Sequence, residues 1–173
     1  MMTGSSDRGG SRLTWQPLGR PLIIGQAPAR GNDGKMPFAG QSGARLAQLA
    51  GVGDDGDSLP PHFSLVNLLS KWPGKGTKKG DLFDMRQAKE NAQDILMGLE
   101  RRPASHILLM GRKVQACFEL KGLEYLHRYS IHRTGFEAHC VIPFPHPSGV
   151  NLWWNDPDNI LQAEKVMRKV LHG

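Results

Sequence analysis

The chain has 173 residues and a mass of 19.1 kDa, the size of one ordinary domain and too short for two. Hydrophobic residues make up 39% and charged residues 22%, a balance that excludes a disordered chain. The 2 cysteines, Cys117 and Cys140, exclude a disulfide framework and any cluster held by four protein thiolates. Lys and Arg outnumber Asp and Glu by 22 to 16, giving a formal charge of +6 and a pI near 9.6. That surplus fits a polyanionic partner, although a merely basic surface gives the same numbers. No apolar stretch approaches the ~20 residues of a membrane span, and the opening MMTGSSDRGGSR lacks the apolar run of a secretory signal. The expectation is a cytoplasmic protein with no membrane partner.

Residues 1–16, rich in Gly, Ser and Arg, predict a flexible arm, and 17–173 a single domain. The run Pro21-Leu22-Ile23-Ile24-Gly25 predicts a buried strand ending on a glycine. The Gly- and Pro-rich stretch from Gln26 to Gly43 predicts a long structured loop, and Ser42–Ala50 a helix stopped by Gly51. Phe63–Leu69 is a second apolar run, followed by a basic loop from Lys71 to Lys79. Residues 84–101 place Met85, Ala88, Ala92, Ile95, Leu96 and Leu99 on one helical face. HILLMG at 106–111 predicts a third strand, with a helix over 113–121, and HCVIPF at 139–144 a fourth. A last helix over 158–171 begins after Asp156-Pro157. Short apolar strands alternating with helices predict an α/β fold: a three-layer α/β/α sandwich around a central four-stranded parallel sheet. In such sheets the site lies beyond the carboxyl ends of the strands, here segments 25–41, 67–79, 111–113 and 144–155.

Those segments hold the unusual residues. The loop after the first strand offers a carboxylate, Asp33, and the amides Gln26 and Asn32, but fits neither the phosphate loop nor the dinucleotide fingerprint. Phe38, between Pro37 and Gly40, is either a stacking platform for a flat ligand or a lid over the next helix. Asn67 ends an apolar run, where an unpartnered amide costs roughly 1–3 kcal/mol. It either caps a strand end or presents its donor and acceptor to a nucleobase edge. His146 stands between Pro145 and Pro147, which stiffen its backbone, and bulky Val150, Leu152 and Trp153 follow. A rigid imidazole followed by apolar wedges suits a protein that displaces a base and fills the gap. Packing beneath the last helix is the expectation for one of Trp153 and Trp154. His127, His132, His139 and Cys140 match no compact zinc spacing, so no metal is expected.

Taken in order, GQAPARGNDGKMPFAGQSG, VNLLSKWPGKG, HILLMG and HPSGVN resemble the uracil-DNA glycosylase superfamily. The resemblance covers most of residues 21–155 and is nearest to bacterial and archaeal branches whose first motif reads G-x-A-P. It implies a monofunctional DNA glycosylase that flips uracil or a related pyrimidine and hydrolyses its N-glycosidic bond, leaving an abasic site. The alternatives are a glycosylase for another modified or damaged base and a non-catalytic nucleic-acid binder. By the same resemblance, Asp33 or Asn32 would hold the water or stabilise the sugar cation, and His146 would donate to the departing base. Gln26 and Ala27 would form the wall against the base, Phe38 would stack on it and Asn67 would read its edge. Lys71, Lys75, Ser148, Val150, Asn151 and Leu152 would meet DNA, with Ser148 on a flanking phosphate and Val150 and Leu152 as wedge candidates. Further basic positions, Lys78, Lys79, Arg112 and Lys113, would line the approach. Ala27 stands where the best-known branch places its catalytic Asp, and Trp72 where branches with a four-iron cluster place a cysteine. The implied enzyme therefore works without cofactor or metal, on DNA, as a monomer.

Overall fold

The computed structural model describes residues 19–77, 80–132 and 139–173. The predicted arm at 1–16 and the basic pair Lys78 and Lys79 lie outside the described residues.

Four strands, β1 (Leu22–Gly25), β2 (Ser64–Asn67), β3 (Ile107–Met110) and a longer C-terminal one (His139–Phe144), run parallel, as their apolar runs require. The expected four-stranded, all-parallel sheet is corrected in one respect. A short strand, β4 (Tyr129–Ile131), pairs antiparallel with the C-terminal strand, hence β5, and makes a five-stranded sheet ordered β2-β1-β3-β5-β4. Its three residues, Tyr-Ser-Ile, sit among His and Arg and carry no apolar run, because an edge strand needs to bury only part of one face.

Alternate residues of the central strands point to opposite faces. Leu22, Ile24, Val66, Ile107, Leu109 and Val141 join one buried cluster with α2 (Met85–Arg101) and α3 (Arg112–Cys117). Ile23, Leu65, Leu108, Met110, Ile142 and Phe144 join the other, with α1 (Gln41–Ala50) and α4 (Pro157–His172). Helix bounds follow local chemistry. The Asp84 carboxylate caps the start of α2 by accepting from the Gln87 N–H, and Asp156 does the same for α4, with Pro157 in its first turn. The helix expected over 113–121 is shorter, because the chain turns after Cys117 and Glu119 takes a φ of 60°.

Two buried amides secure the strand ends that carry the site. Gln115 of α3, fully buried, donates to the carbonyls of Leu109 and Phe144 at 3.1 and 3.2 Å, tying β3 to β5. Asn91 of α2 donates to the Leu68 carbonyl at 2.6 Å, just past β2. Replacing Gln115 with Leu removes both donors while keeping bulk. We expect a loss of about 1–3 kcal/mol in unfolding free energy by urea denaturation, with the circular dichroism spectrum unchanged.

Candidate functional site

The chain order places β2 on one side of β1 and β3 on the other, so the carboxyl ends of β1 and β3 border a crevice where connections diverge. A cavity of about 360 Å³ opens there, lined from all four segments expected to form the site. β1 ends on Gly25 and β3 is followed directly by Gly111, and at both glycines neighbouring side chains approach closely. A Cβ on Gly25 would lie 2.5 Å from Asn67 Oδ1 and 2.7 Å from the Phe38 ring. A Cβ on Gly111, whose φ is +93°, would lie 3.1 Å from the His146 side chain and 3.5 Å from Gln26 Nε2. Phe38 and Asn67 thus close over one strand end, and His146 and Gln26 over the other.

Phe38 adopts a φ of 62°, a left-handed conformation costly for an aromatic residue. Its carbonyl is wedged where only glycine fits: a Cβ would come within 1.8 Å of it at Gly43 of α1 and 2.4 Å at Gly56. The ring, half-buried, lies over Gly25 and lines the cavity, so the residue is both a wall of the pocket and part of the packing on α1.

The His146 loop is held by its carbonyls. Asn151 Nδ2 and Trp154 Nε1 both donate to the His146 carbonyl, at 3.0 and 2.8 Å. Arg45 of α1 donates to the carbonyls of Pro147 and Ser148 at 3.3 and 3.2 Å, with its guanidinium 5.0 Å from the Trp154 ring centre. On the imidazole, Nδ1 accepts from the Ser148 backbone N–H at 3.2 Å, so the neutral ring carries its proton on Nε2. Burial, with the Lys113 charge as the smaller cause, holds this histidine below the ordinary value of 6.5, so it is neutral at pH 7.

The cavity gathers most of the expected residues: Gln26, Ala27, Asn32, Phe38, Asn67, His146, Ser148 and Val150 all line it. Asp33 does not. Its carboxylate accepts from the Trp72 backbone N–H at 2.7 Å, and Arg30 stacks over the Trp72 ring at 5.7 Å, so this corner joins the loop after β1 to the loop after β2. Asn32 faces the cavity, its Nδ2 donating to the Ala39 carbonyl and its Oδ1 accepting from Lys35. Asn151 turns inward, holding the loop through the His146 carbonyl and the Trp153 N–H. Lys71 and Lys75 are exposed on the loop after β2, away from the cavity lining. Val150 and Leu152 are 88% and 78% exposed, and of the two only Val150 lines the cavity. Trp154 is the tryptophan buried under the sheet, against Phe144, while Trp153 packs edge-on against Tyr125. Among the described residues, no three His, Cys, Asp or Glu side chains gather as a metal site.

Sequence reasoning missed a wall. After Trp72 the chain forms a small hairpin, bridged between Lys75 and Asp81, that brings Asp81, Leu82 and Phe83 to the cavity. Its signal is the Gly74 and Gly80 pair, both at positive φ. Arg45, Asn91 and Gln115 were also missed; each acts by holding backbone beside the site, and only the solitary polar residue on an apolar helical face marks Asn91 and Gln115 in advance.

In an α/β fold of this kind, a crevice at the switch point is where ligands bind. The family model of the Uracil DNA glycosylase superfamily matches residues 16–171, and the chain belongs to that superfamily. Its fold is similar to the solution structure of a putative uracil DNA glycosylase from Methanosarcina acetivorans, with a TM-score of 0.55 at 16% identity over 95% of this chain and 99% of that one. No curated protein shows significant sequence similarity to it. Among the described residues, no helix is long and apolar enough to cross a membrane.

The packing over Gly25 gives a direct check. Gly25→Ala is expected to destabilise the protein by about 1–3 kcal/mol through overpacking, and Phe38→Ala in the same chain to recover part of that loss. Urea unfolding of the two single variants and the double variant measures the coupling.

Proposed function

We propose that this protein is a monofunctional DNA glycosylase that flips uracil or a related pyrimidine into the cavity and hydrolyses its N-glycosidic bond. The observation that carries the reading is His146: a half-buried, neutral imidazole whose Nδ1 is occupied by the Ser148 N–H, in the same cavity as Phe38 and Asn67. The tautomer so fixed makes Nε2–H a donor for a carbonyl oxygen of the base, where negative charge builds as the bond to C1′ breaks. Phe38 stacks on the base and Asn67, held against Gly25, pairs with its edge. A base must leave the stack to reach such a pocket, and exposed Val150 and Leu152 on the neighbouring loop suit the gap left behind.

Asn32 is the better placed of the two water-holding candidates, since its amide faces the cavity while Asp33 is hydrogen-bonded to Trp72. In this assignment Asn32 holds the attacking water on the face of the sugar opposite the base, and Asp33 positions the loop that carries it. Lys71 and Lys75, on the loop after β2, supply counter-charge to the phosphates, with Ser148 beside the flipped nucleotide. The second reading, another modified base, draws on Gln26 and Ala27: the amide of Gln26 lies beside His146 at the wall the base would face, where a carboxylate is absent.

The test is base release from uracil-containing single- and double-stranded oligonucleotides, read by alkaline cleavage of the abasic product, with a panel of modified bases alongside. Wild type is expected to release uracil, and His146→Ala to lose about 10²–10³-fold in single-turnover rate with its fold intact. Asn32→Ala should lower the rate at saturating enzyme more than Asp33→Ala does. Release of a different base from the panel transfers the activity to the second reading, and DNA binding with no release of any base sinks both.

The pH profile follows from the same ring. Protonating Nδ1 sets its proton against the Ser148 N–H and removes that acceptor. Since burial holds the ring's pKa below 6.5, the neutral form persists through neutrality and is lost only as pH falls through that lowered value. We expect the single-turnover rate to be flat near pH 7 and to decline only at a pH below the ordinary histidine value of 6.5, an acid limb that His146→Ala lacks.

A further inference from the structure

We infer that Lys113 is a charge-stabilising side chain of the pocket, whose ammonium group favours departure of the base as an anion; the inference rests on the glycosylase reading above. Lys113 lies in the first turn of α3, two residues past Gly111, and lines the cavity with His146 and the hairpin residues Asp81 and Phe83. Its Nζ donates to the Asp81 backbone carbonyl at 3.5 Å and lies 5.6 Å from the Phe83 ring centre. Among the described residues it forms no ion pair with a carboxylate, the pairs there being Arg86–Glu90 and Glu124–His127. The adjacent Arg112 serves otherwise: it donates to Gln115 Oε1 and the Leu123 carbonyl and stacks on Tyr125 at 3.8 Å. One cation of the pair is therefore structural, and the other, without a carboxylate ion pair among the described residues, stands at the cavity wall.

Among the described residues, the charged groups around His146 are Lys113 from α3, Asp81 from the hairpin and Arg45 from α1, the last committed to the Pro147 and Ser148 carbonyls. The Lys113 charge opposes a proton on His146. A field that opposes positive charge on the donor equally favours negative charge on the oxygen receiving its hydrogen bond. In the reaction the C1′–N bond breaks with its electron pair passing to the base, water oxygen bonds to C1′, and the proton lost by water balances the one the base anion takes from solvent. Lys113 acts on the first of these events, and an exposed cation acts there more weakly than a buried donor.

The experiment compares single-turnover release of uracil and of the more acidic 5-fluorouracil by wild type, Lys113→Met and Lys113→Arg at saturating enzyme. Lys113→Met should slow uracil release about tenfold, less than the loss of a buried donor, and 5-fluorouracil release distinctly less; Lys113→Arg should restore most of the rate. Equal slowing of both bases, or weaker DNA binding with both rates intact, overturns the inference and leaves a phosphate contact. The second readout is NMR titration of the His146 ring, which should move to higher pH in Lys113→Met; no movement also overturns it. A wild type that releases neither base overturns the glycosylase reading and the leaving-group role with it, and is told apart because the His146 titration still moves.

Discussion

The site depends on the absence of two side chains. Gly25, the last residue of β1, and Gly111, the residue after the adjacent parallel β3, each leave a space that other side chains fill: Phe38 and Asn67 at the first, His146 and Gln26 at the second. A methyl group on Gly25 would overlap Asn67 and Phe38, and one on Gly111 would press on His146, so the strand ends and the pocket walls are a single packing problem. This is why residues far apart in sequence, from the loops after β1, β2, β3 and β5, meet within one cavity. The crevice between diverging connections supplies the room, and the glycines supply the approach.

Rigidity in the His146 loop comes from its carbonyls rather than its side chains. Four hydrogen bonds from three donor groups, on Asn151, Trp154 and Arg45, converge on the carbonyls of His146, Pro147 and Ser148, and prolines on both sides of His146 restrict the backbone further. Arg45 and Trp154 also stack on one another, so the helix α1 and the segment before α4 share the same support. The imidazole thereby keeps a fixed position and a fixed tautomer before any ligand arrives. Preorganisation of this kind removes the cost of ordering the donor during reaction.

The sequence made most of this legible, for identifiable reasons. Apolar runs marked the four parallel strands because strands buried on both faces need no alternation, and Asp156-Pro157 marked the start of α4 through capping chemistry. Strand β4 escaped because an edge strand of three polar-flanked residues leaves no such run. Within the site, the loops were legible and the directions of side chains were not. Asn32 and Asp33 are neighbours of similar shape, and only the hydrogen bond to Trp72 turns one outward while the other faces the cavity. Asn151 likewise reads as a surface residue beside Val150, yet is spent on the His146 carbonyl. Such choices are made by contacts distant in sequence, which no local pattern encodes.

The polar groups of the cavity constrain the chemistry it can favour. Its walls carry the amides of Gln26, Asn32 and Asn67, the Ser148 residue, a neutral imidazole and the Lys113 ammonium, with Asp81 the one acidic residue among the described lining. One cation and one carboxylate residue balance in formal charge, and the amide and imidazole donors beside them are, on the glycosylase reading, what an electron-rich oxygen would meet. On that reading a base already carrying positive charge would meet Lys113 unfavourably. On the same reading a neutral oxo-base, whose departure places negative charge on its carbonyl oxygens, would meet donors fixed in advance. Asp33 is kept out of this wall by its own hydrogen bond: at Trp72 its carboxylate satisfies a backbone N–H and holds two loops together.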